Sequence, residues 1–180
     1  MRVITGKARG IQLKTPEGMQ TRPTADRVKE ALFSIIHFEI PGANVLDLFG
    51  GTGQLGIEAL SRGANRAVFV DSQEQACKLI KENLNRTKFS ANAQVVRSDY
   101  LQYLDRCREK FNIILLDPPY AEVFLETALK RITEIDILET DGIIVAERPV
   151  GKELPWEFEG YVRSKDYKYG KILLTVYRKA

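Results

Sequence analysis

Histidine and tryptophan occur once each in the 180 residues, and cysteine and methionine only twice each. The two cysteines, Cys77 and Cys107, have no CxxC spacing and no histidine partner. That excludes a disulfide framework, a zinc site and a recognisable thiol nucleophile. The single histidine, His37, ends a predicted helix and reads as a structural or surface residue. Acid–base chemistry must therefore come from other side chains, and no metal is expected. No apolar run approaches the roughly 18 residues that cross a bilayer. Met1 to Gly10 carry Arg2, Lys7 and Arg9 without an apolar core, so no signal peptide is expected. Repeats, low-complexity tracts and long linkers are also missing. These absences lead us to expect a cytoplasmic protein with no membrane partner, and we expect it to act as a monomer.

What is present fits one globular domain over residues 1–180, with 1–20 as a basic hairpin extension. At this length roughly 70% of the unfolded surface is buried, and a core forms without covalent staples. The formal net charge of +3 conceals an uneven distribution. Residues 1–30 hold seven Lys/Arg against three Asp/Glu, and residues 161–180 hold six against one. The middle of the chain is correspondingly acidic. Two basic ends on an acidic body suit a polyanionic partner, or else two solvated faces.

The chain opens as a short hairpin, Val3–Thr5 and Ile11–Lys14 around a turn through Gly6 to Gly10. Thr24 then precedes a helix with an apolar face of Val28, Leu32, Ile35 and Ile36, stopped by Pro41-Gly42. From Asn44 onward, strands and helices alternate. Strands are predicted at 44–48, 67–70, 94–97, 112–116 and 143–147, with helices near 54–62, 73–85 and 122–135 and a short one after Asp99. The strands are continuously apolar, which marks burial on both faces. Such alternation gives an α/β, doubly wound, Rossmann-like parallel sheet. The end differs: 161–169 and 171–178 flank Gly170 as an antiparallel hairpin.

The first chemistry lies in Asp47-Leu-Phe49-Gly50-Gly51-Thr-Gly53-Gln-Leu-Gly56, a strand end, a glycine turn and a helix start. Gly51, Gly53 and Gly56 match G-x-G-x-x-G, which lets a backbone approach a nucleotide closely. A P-loop is excluded because Ile57-Glu58 replaces its Lys-Ser/Thr. A pyrophosphate at the helix start would face the carboxylate of Asp47. That carboxylate suits a ligand with a cationic amine or sulfonium, namely S-adenosylmethionine. Asp71 and Asp99 end the next two strands. Asp71 could take ribose hydroxyls or, with Ser72, cap a helix. Asp99, after Ser98, could meet an adenine amine or cap a helix.

A second motif, Asp117-Pro118-Pro119-Tyr120, closes the fourth strand. The prolines hold an extended backbone and remove two N–H donors, leaving carbonyl acceptors. Asp117 adds an anionic acceptor and Tyr120 a flat ring. An exocyclic amine on a nucleobase needs such a set, because its lone pair is delocalised into the ring. Hydrogen bonds from its NH₂ to Asp117 and to the Pro118 carbonyl return electron density to nitrogen. Glu58 reads as a brace for the glycine loop or as a solvated charge.

With both motifs in place, the sequence resembles class I methyltransferases that modify exocyclic amines. Arg2-Val-Ile-Thr-Gly-Lys-Ala-Arg-Gly, Leu13-Lys-Thr-Pro and Thr21-Arg-Pro-Thr-Ala-Asp-Arg-Val-Lys-Glu-Ala-Leu-Phe narrow the resemblance to the bacterial RsmD family. Those enzymes methylate guanine N2 in small-subunit (16S) ribosomal RNA. The resemblance implies a seven-stranded, mostly parallel sheet that includes the C-terminal hairpin, and an assembling small ribosomal subunit as partner. It implies catalytic roles for Asp117, Pro118 and Tyr120. For the cofactor, S-adenosylmethionine, it implies Asp47, Phe49, Gly50, Gly51, Gly53, Asp71, Ser72, Ser98, Asp99 and Thr24. For RNA it leaves Lys7, Arg9, Lys14, Arg22 and Arg27. Arg22, Thr24 and Arg27 fall near the cofactor's amino-acid end and the target base in that family; an ordinary capped helix fits them as well. Three other readings stay open: a DNA adenine-N6 methyltransferase, an inactive RNA-binding assembly factor, and, weakest, an NAD-dependent oxidoreductase.

Overall fold

The computed structural model describes residues 1–19, 23–119 and 121–180, the side chains of Pro23, Thr24, Ala121 and Glu122 excepted. After an N-terminal segment and α1 (Pro23–Ile35), strands and helices alternate: β1 (Asn44–Asp47), α2 (Gln54–Ser61), β2 (Arg66–Asp71), α3 (Glu74–Thr87), β3 (Ala93–Arg97), α4 (Tyr100–Arg106), β4 (Phe111–Leu116), α5 (Ala121–Ile135) and β5 (Leu138–Pro149). Three strands follow, β6 (Glu157–Phe158), β7 (Tyr161–Tyr169) and β8 (Ile172–Lys179). They form one sheet in the order β3-β2-β1-β4-β5-β8-β7-β6. The first five strands are mutually parallel, whereas β8 pairs antiparallel with β5 and β7.

This is the expected Rossmann-like class I methyltransferase sheet with its antiparallel hairpin, and it has eight strands where seven were expected. The addition is β6, two residues that pair with the start of β7 at the sheet edge. The N-terminal hairpin is present in reduced form. Arg2 and Gln12 make a single antiparallel bridge, and Val3 N–H donates to the Ile11 carbonyl.

Alternate residues of each parallel strand enter different apolar clusters, because successive side chains leave a strand on opposite faces. Val45, Ile113, Leu115, Ile143 and Val145 pack with α1, α2 and α3. Leu46, Ile114, Leu116, Ile144 and Ala146 pack with α4 and α5 through Leu104, Leu125, Leu129 and Ile132. Covering both faces explains the uninterrupted apolar strands. Full burial of each such Leu, Ile or Val contributes about 1.5–3 kcal/mol.

Buried polar side chains tie the N-terminal segment to this core. Glu58, on α2, is fully buried and accepts from Ile4 N–H at 2.8 Å, Thr5 N–H at 2.9 Å and Arg62 Nε at 2.9 Å. It also faces Lys29 Nζ at 3.8 Å, which donates to the Arg2 carbonyl. Burial outweighs Glu58 and holds the Lys29 ammonium below its usual range. Glu58 is therefore neither a solvated charge nor a brace for the glycine loop: it anchors the N-terminal segment. Asn83, also fully buried, accepts from Lys14 N–H and donates to the Lys14 and Thr52 carbonyls. That residue joins the N-terminal segment to the loop after β1.

Candidate functional site

A cavity of about 1140 Å³ opens over the carboxyl ends of β1 to β4, where a doubly wound fold places its ligands. The loop after β1 forms its floor. Gly51 and Gly53 have φ of 56° and 81°, the left-handed region where glycine carries no steric penalty. Gly50 and Gly56 serve packing instead. A Cβ on Gly50 would meet Ile80 Cδ1 at 2.8 Å, and one on Gly56 would meet Phe69 Cε1 at 2.3 Å. The motif thus divides into two glycines for chain direction and two for close approach.

Asp47 lies beneath this loop and lines the cavity, with only 1% of its surface exposed. One oxygen, Oδ2, accepts from Gly56 N–H at 3.1 Å, while the buried Oδ1 has no partner. Burial raises its pKa to about 8; the Gly56 hydrogen bond opposes the rise, and Asp117 and Asp71 add to it. A buried carboxyl oxygen without a donor is costly unless a ligand supplies one. An ammonium group fits that need, and the amino-acid end of S-adenosylmethionine carries one.

Asp71 accepts from Gly51 N–H through Oδ2 and from Gln73 N–H through Oδ1, so it binds the glycine loop to the end of β2. The N-cap of α3 is Gln73, so neither Asp71 nor Ser72 occupies that position. Asp99 does cap α4: its Oδ1 accepts from Leu101 and Gln102 N–H. Asp71, Ser72, Ser98 and Asp99 all line the cavity, with Phe49, Gly50 and Gly51. Both aspartates thus combine a local structural bond with a place on the ligand wall.

Two aromatic residues escaped the sequence reading. Tyr100 and Phe124 line the cavity with Phe49. The Phe49 and Phe124 rings are nearly parallel, 6.2 Å apart, and Tyr100 lies 5.2 Å and 5.3 Å from them. Such a wall suits a planar base. Neither sits at a motif position. The one available signal was Tyr100, directly after the strand-ending Asp99.

Asp117, Pro118 and Pro119 border the cavity just past β4. Asp117 is half-buried and makes no hydrogen bond among the described residues, and burial pushes its pKa up to about 6. Glu147, near the end of β5, is raised to about 8 by burial and by Asp117. Tyr120 and Arg22 lie outside the described residues, as does the side chain of Thr24. No group of three or more His, Cys, Asp or Glu among the described residues is placed to hold a metal ion. No described helix is long and apolar enough to cross a membrane.

The basic residues are dispersed. Lys7 and Arg9 are exposed on a turn held at the C-terminal end of α2 by Lys7 N–H to the Ser61 carbonyl. That is roughly 12 Å along the helix from the glycine loop. Lys14 pairs with Glu82 at 2.8 Å, and Arg27 is exposed on α1.

Comparison with known proteins bears on the same residues. A family model described as "Conserved hypothetical protein 95" matches residues 1–178. The chain belongs to this family. It is 42% identical over 182 residues to YlbH of Bacillus subtilis (strain 168), whose name proposes an rRNA methyltransferase, with 99% of each chain covered. It is 31% identical over 179 residues to Ribosomal RNA small subunit methyltransferase D of Escherichia coli (strain K12), covering 99% of this chain and 90% of that one. Among solved structures, Escherichia coli YhhF, whose name proposes a methyltransferase, superposes with a TM-score of 0.90 at 30% identity. That match covers 99% of this chain and 97% of the other. Fold, cavity and homology together make this family member an S-adenosylmethionine-dependent methyltransferase.

Proposed function

We propose that the protein methylates the exocyclic N2 of a guanine in small-subunit (16S) ribosomal RNA, presented on an assembling subunit, and that it acts as a cytoplasmic monomer. The observation that carries this reading is the place of Asp117 and Pro118 at the cavity border. Asp117 and Pro118 line the cavity just past β4, and the Asp117 carboxyl makes no hydrogen bond among the described residues. The relatives named for ribosomal RNA support the substrate class.

Bound in the cavity, the cofactor supplies a methyl group on a sulfonium sulfur. The chain's residues do the rest. Asp47 Oδ1 accepts from the cofactor's ammonium, and Asp71 and Asp99 meet its ribose and adenine. The Phe49, Tyr100 and Phe124 wall packs against the adenine. Asp117 and the Pro118 carbonyl each accept one hydrogen of the guanine amine, which turns its lone pair toward the methyl. Tyr120 stacks on the base. Positioning of this kind lowers a barrier by up to roughly 7–11 kcal/mol. Positive charge grows on the amine nitrogen as it is methylated, and the Asp117 carboxylate stabilises it. The resulting cationic amine is strongly acidic, so water or Asp117 suffices to take its proton. Lys7, Arg9, Lys14, Arg22 and Arg27 contact phosphates of RNA flanking the target.

The test is nucleoside analysis of unmethylated small-subunit RNA treated with enzyme and cofactor. N2-methylguanine is expected, and N6-methyladenine would replace this reading with a DNA-type adenine chemistry. Asp117→Ala should abolish transfer while calorimetry shows cofactor affinity within about threefold of wild type. Full activity in that variant would remove Asp117 from the mechanism.

A further inference from the structure

Glu147 is a carboxyl group that the mechanism above leaves unused. Leu116 pairs with Ala146 in the parallel β4–β5 register, so Asp117 and Glu147 come next along neighbouring strands. Along each strand the alternation runs Ile113, Leu115, Asp117 and Ile143, Val145, Glu147, which puts both carboxyls on the face covered by α1. Asp47 ends the equivalent row on β1, after Val45. Glu147 is only partly exposed, and its carboxyl makes no hydrogen bond or ion pair among the described residues. Its cross-strand partner on β8 is Leu174, which is fully buried. No structural bond therefore accounts for a carboxyl in an otherwise apolar row, where such a group costs free energy.

Its position relative to the cavity indicates a use. The cavity wall is supplied by the N-terminal segment, the loops after β1 to β4, and α2 to α5, with no described residue from β5. Glu147 stands beside Asp117 on the β5 side, outside the lining of that cavity. We propose that Glu147 is a specificity-determining residue that accepts a hydrogen bond from the ring N1–H of the target guanine, beside the amine held by Asp117 and Pro118. This rests on the guanine-N2 reading. Guanine presents N1–H next to its N2 amine, whereas adenine and 2,6-diaminopurine present an N1 lone pair beside theirs. An acceptor oxygen of Glu147 holds the first and repels the second. Glu147 accepts N1–H in its ionised form; burial and the nearby Asp117 raise its pKa to about 8, so the preference for guanine should grow as pH rises toward that value.

The methylated nucleotide is first mapped with wild-type enzyme on small-subunit RNA. N2-methylguanine there upholds the underlying reading; any other product ends both that reading and this proposal. The same RNA is then prepared by splinted ligation with 2,6-diaminopurine at the mapped position, whose 2-amine is still available. Wild-type enzyme should prefer guanine, and Glu147→Leu should cut kcat/KM on guanine about 10- to 100-fold while leaving diaminopurine nearly unchanged. Cofactor affinity, measured by calorimetry, should stay constant. Equal losses on both RNAs would make Glu147 a structural residue or a modulator of Asp117 and overturn the proposal, as would no loss on either. Glu147→Gln serves as the second variant. Its amide can turn a donor toward the diaminopurine N1, so the preference for guanine should narrow, and an unchanged ratio would equally overturn the proposal.

Discussion

Asp47→Asn should make the ligand-free protein more stable and the cofactor bind less tightly. The carboxyl is buried with one oxygen unpartnered, and its pKa rises from 3.8 to about 8. A raised carboxyl pKa means that the folded state holds its proton more tightly than the unfolded state does. Below pH 3.8 both states are protonated and the folded protein bears no penalty. As pH rises, the unfolded chain ionises first and folding stability falls, until the folded carboxyl also ionises above about pH 8. The loss at pH 7 amounts to about 4 kcal/mol, against under ~2 kcal/mol at pH 5. Asparagine cannot ionise and retains an oxygen for Gly56 N–H, so it removes this penalty. For a domain of this size the gain is roughly 8–16 °C in Tm at pH 7, shrinking toward pH 5.

Cofactor binding should move the other way. An ammonium on Oδ1 requires the ionised form of Asp47, so binding at pH 7 releases about 0.9 proton from the wild type. Calorimetry in phosphate and Tris, which differ in ionisation enthalpy, reads that proton directly. The Asn variant should release none and bind roughly 10- to 100-fold more weakly. Coincident melting curves for the two proteins from pH 5 to 8, or identical apparent enthalpies in both buffers for the wild type, would refute the reasoning.

Gly56→Ala should destabilise by about 1–3 kcal/mol in urea unfolding, because its Cβ would lie 2.3 Å from the buried Phe69 ring. Phe69→Leu in the same chain should restore part of that loss. Glu58→Ala should cost about 3–5 kcal/mol at pH 7, since it strands the buried Lys29 ammonium and frees Ile4 and Thr5 N–H. Glu58→Gln should cost less, and a loss below 1 kcal/mol in the Ala variant would contradict the anchoring role. Lys7→Ala with Arg9→Ala should weaken RNA binding and reduce the salt slope by about 1.4 if each residue meets one phosphate of a single strand. A filter-binding slope equal to wild type would return both side chains to solvated surface.

The parts of the fold readable from the chain were those whose signal is local. The cores of β1, β2 and β4, Val45–Leu46, Ala67–Val70 and Ile113–Leu116, are apolar throughout, and the glycines after Asp47 mark a turn that few other residues could make. Asp99 read equally well as a ligand group or a cap; the structure shows the cap bonds and a place on the cavity wall. The two-residue strand β6 carried no periodicity and exists only through its pairing with Tyr161 and Val162.

Glu58 and Asn83 show why the rest was out of reach. Each is a polar residue on a helix, and a polar residue there is ordinarily solvated. Their partners are Ile4, Thr5, Lys14 and Thr52, between 31 and 69 positions away. Phe124 and Tyr100 likewise became one wall with Phe49 only when α4 and α5 packed together on one face of the sheet. By itself the sequence determined the order of elements, the glycine turn, and which carboxylates end which strands, because strand period and turn chemistry act over a few residues. The tertiary structure decided that Asp47, Asp117 and Glu147 gather on one face at the ends of adjacent strands, with Asp47 level with Leu115 and Asp117 beside Glu147. Register brings them together, and burial then changes their affinity for protons, which a list of residues in order cannot express.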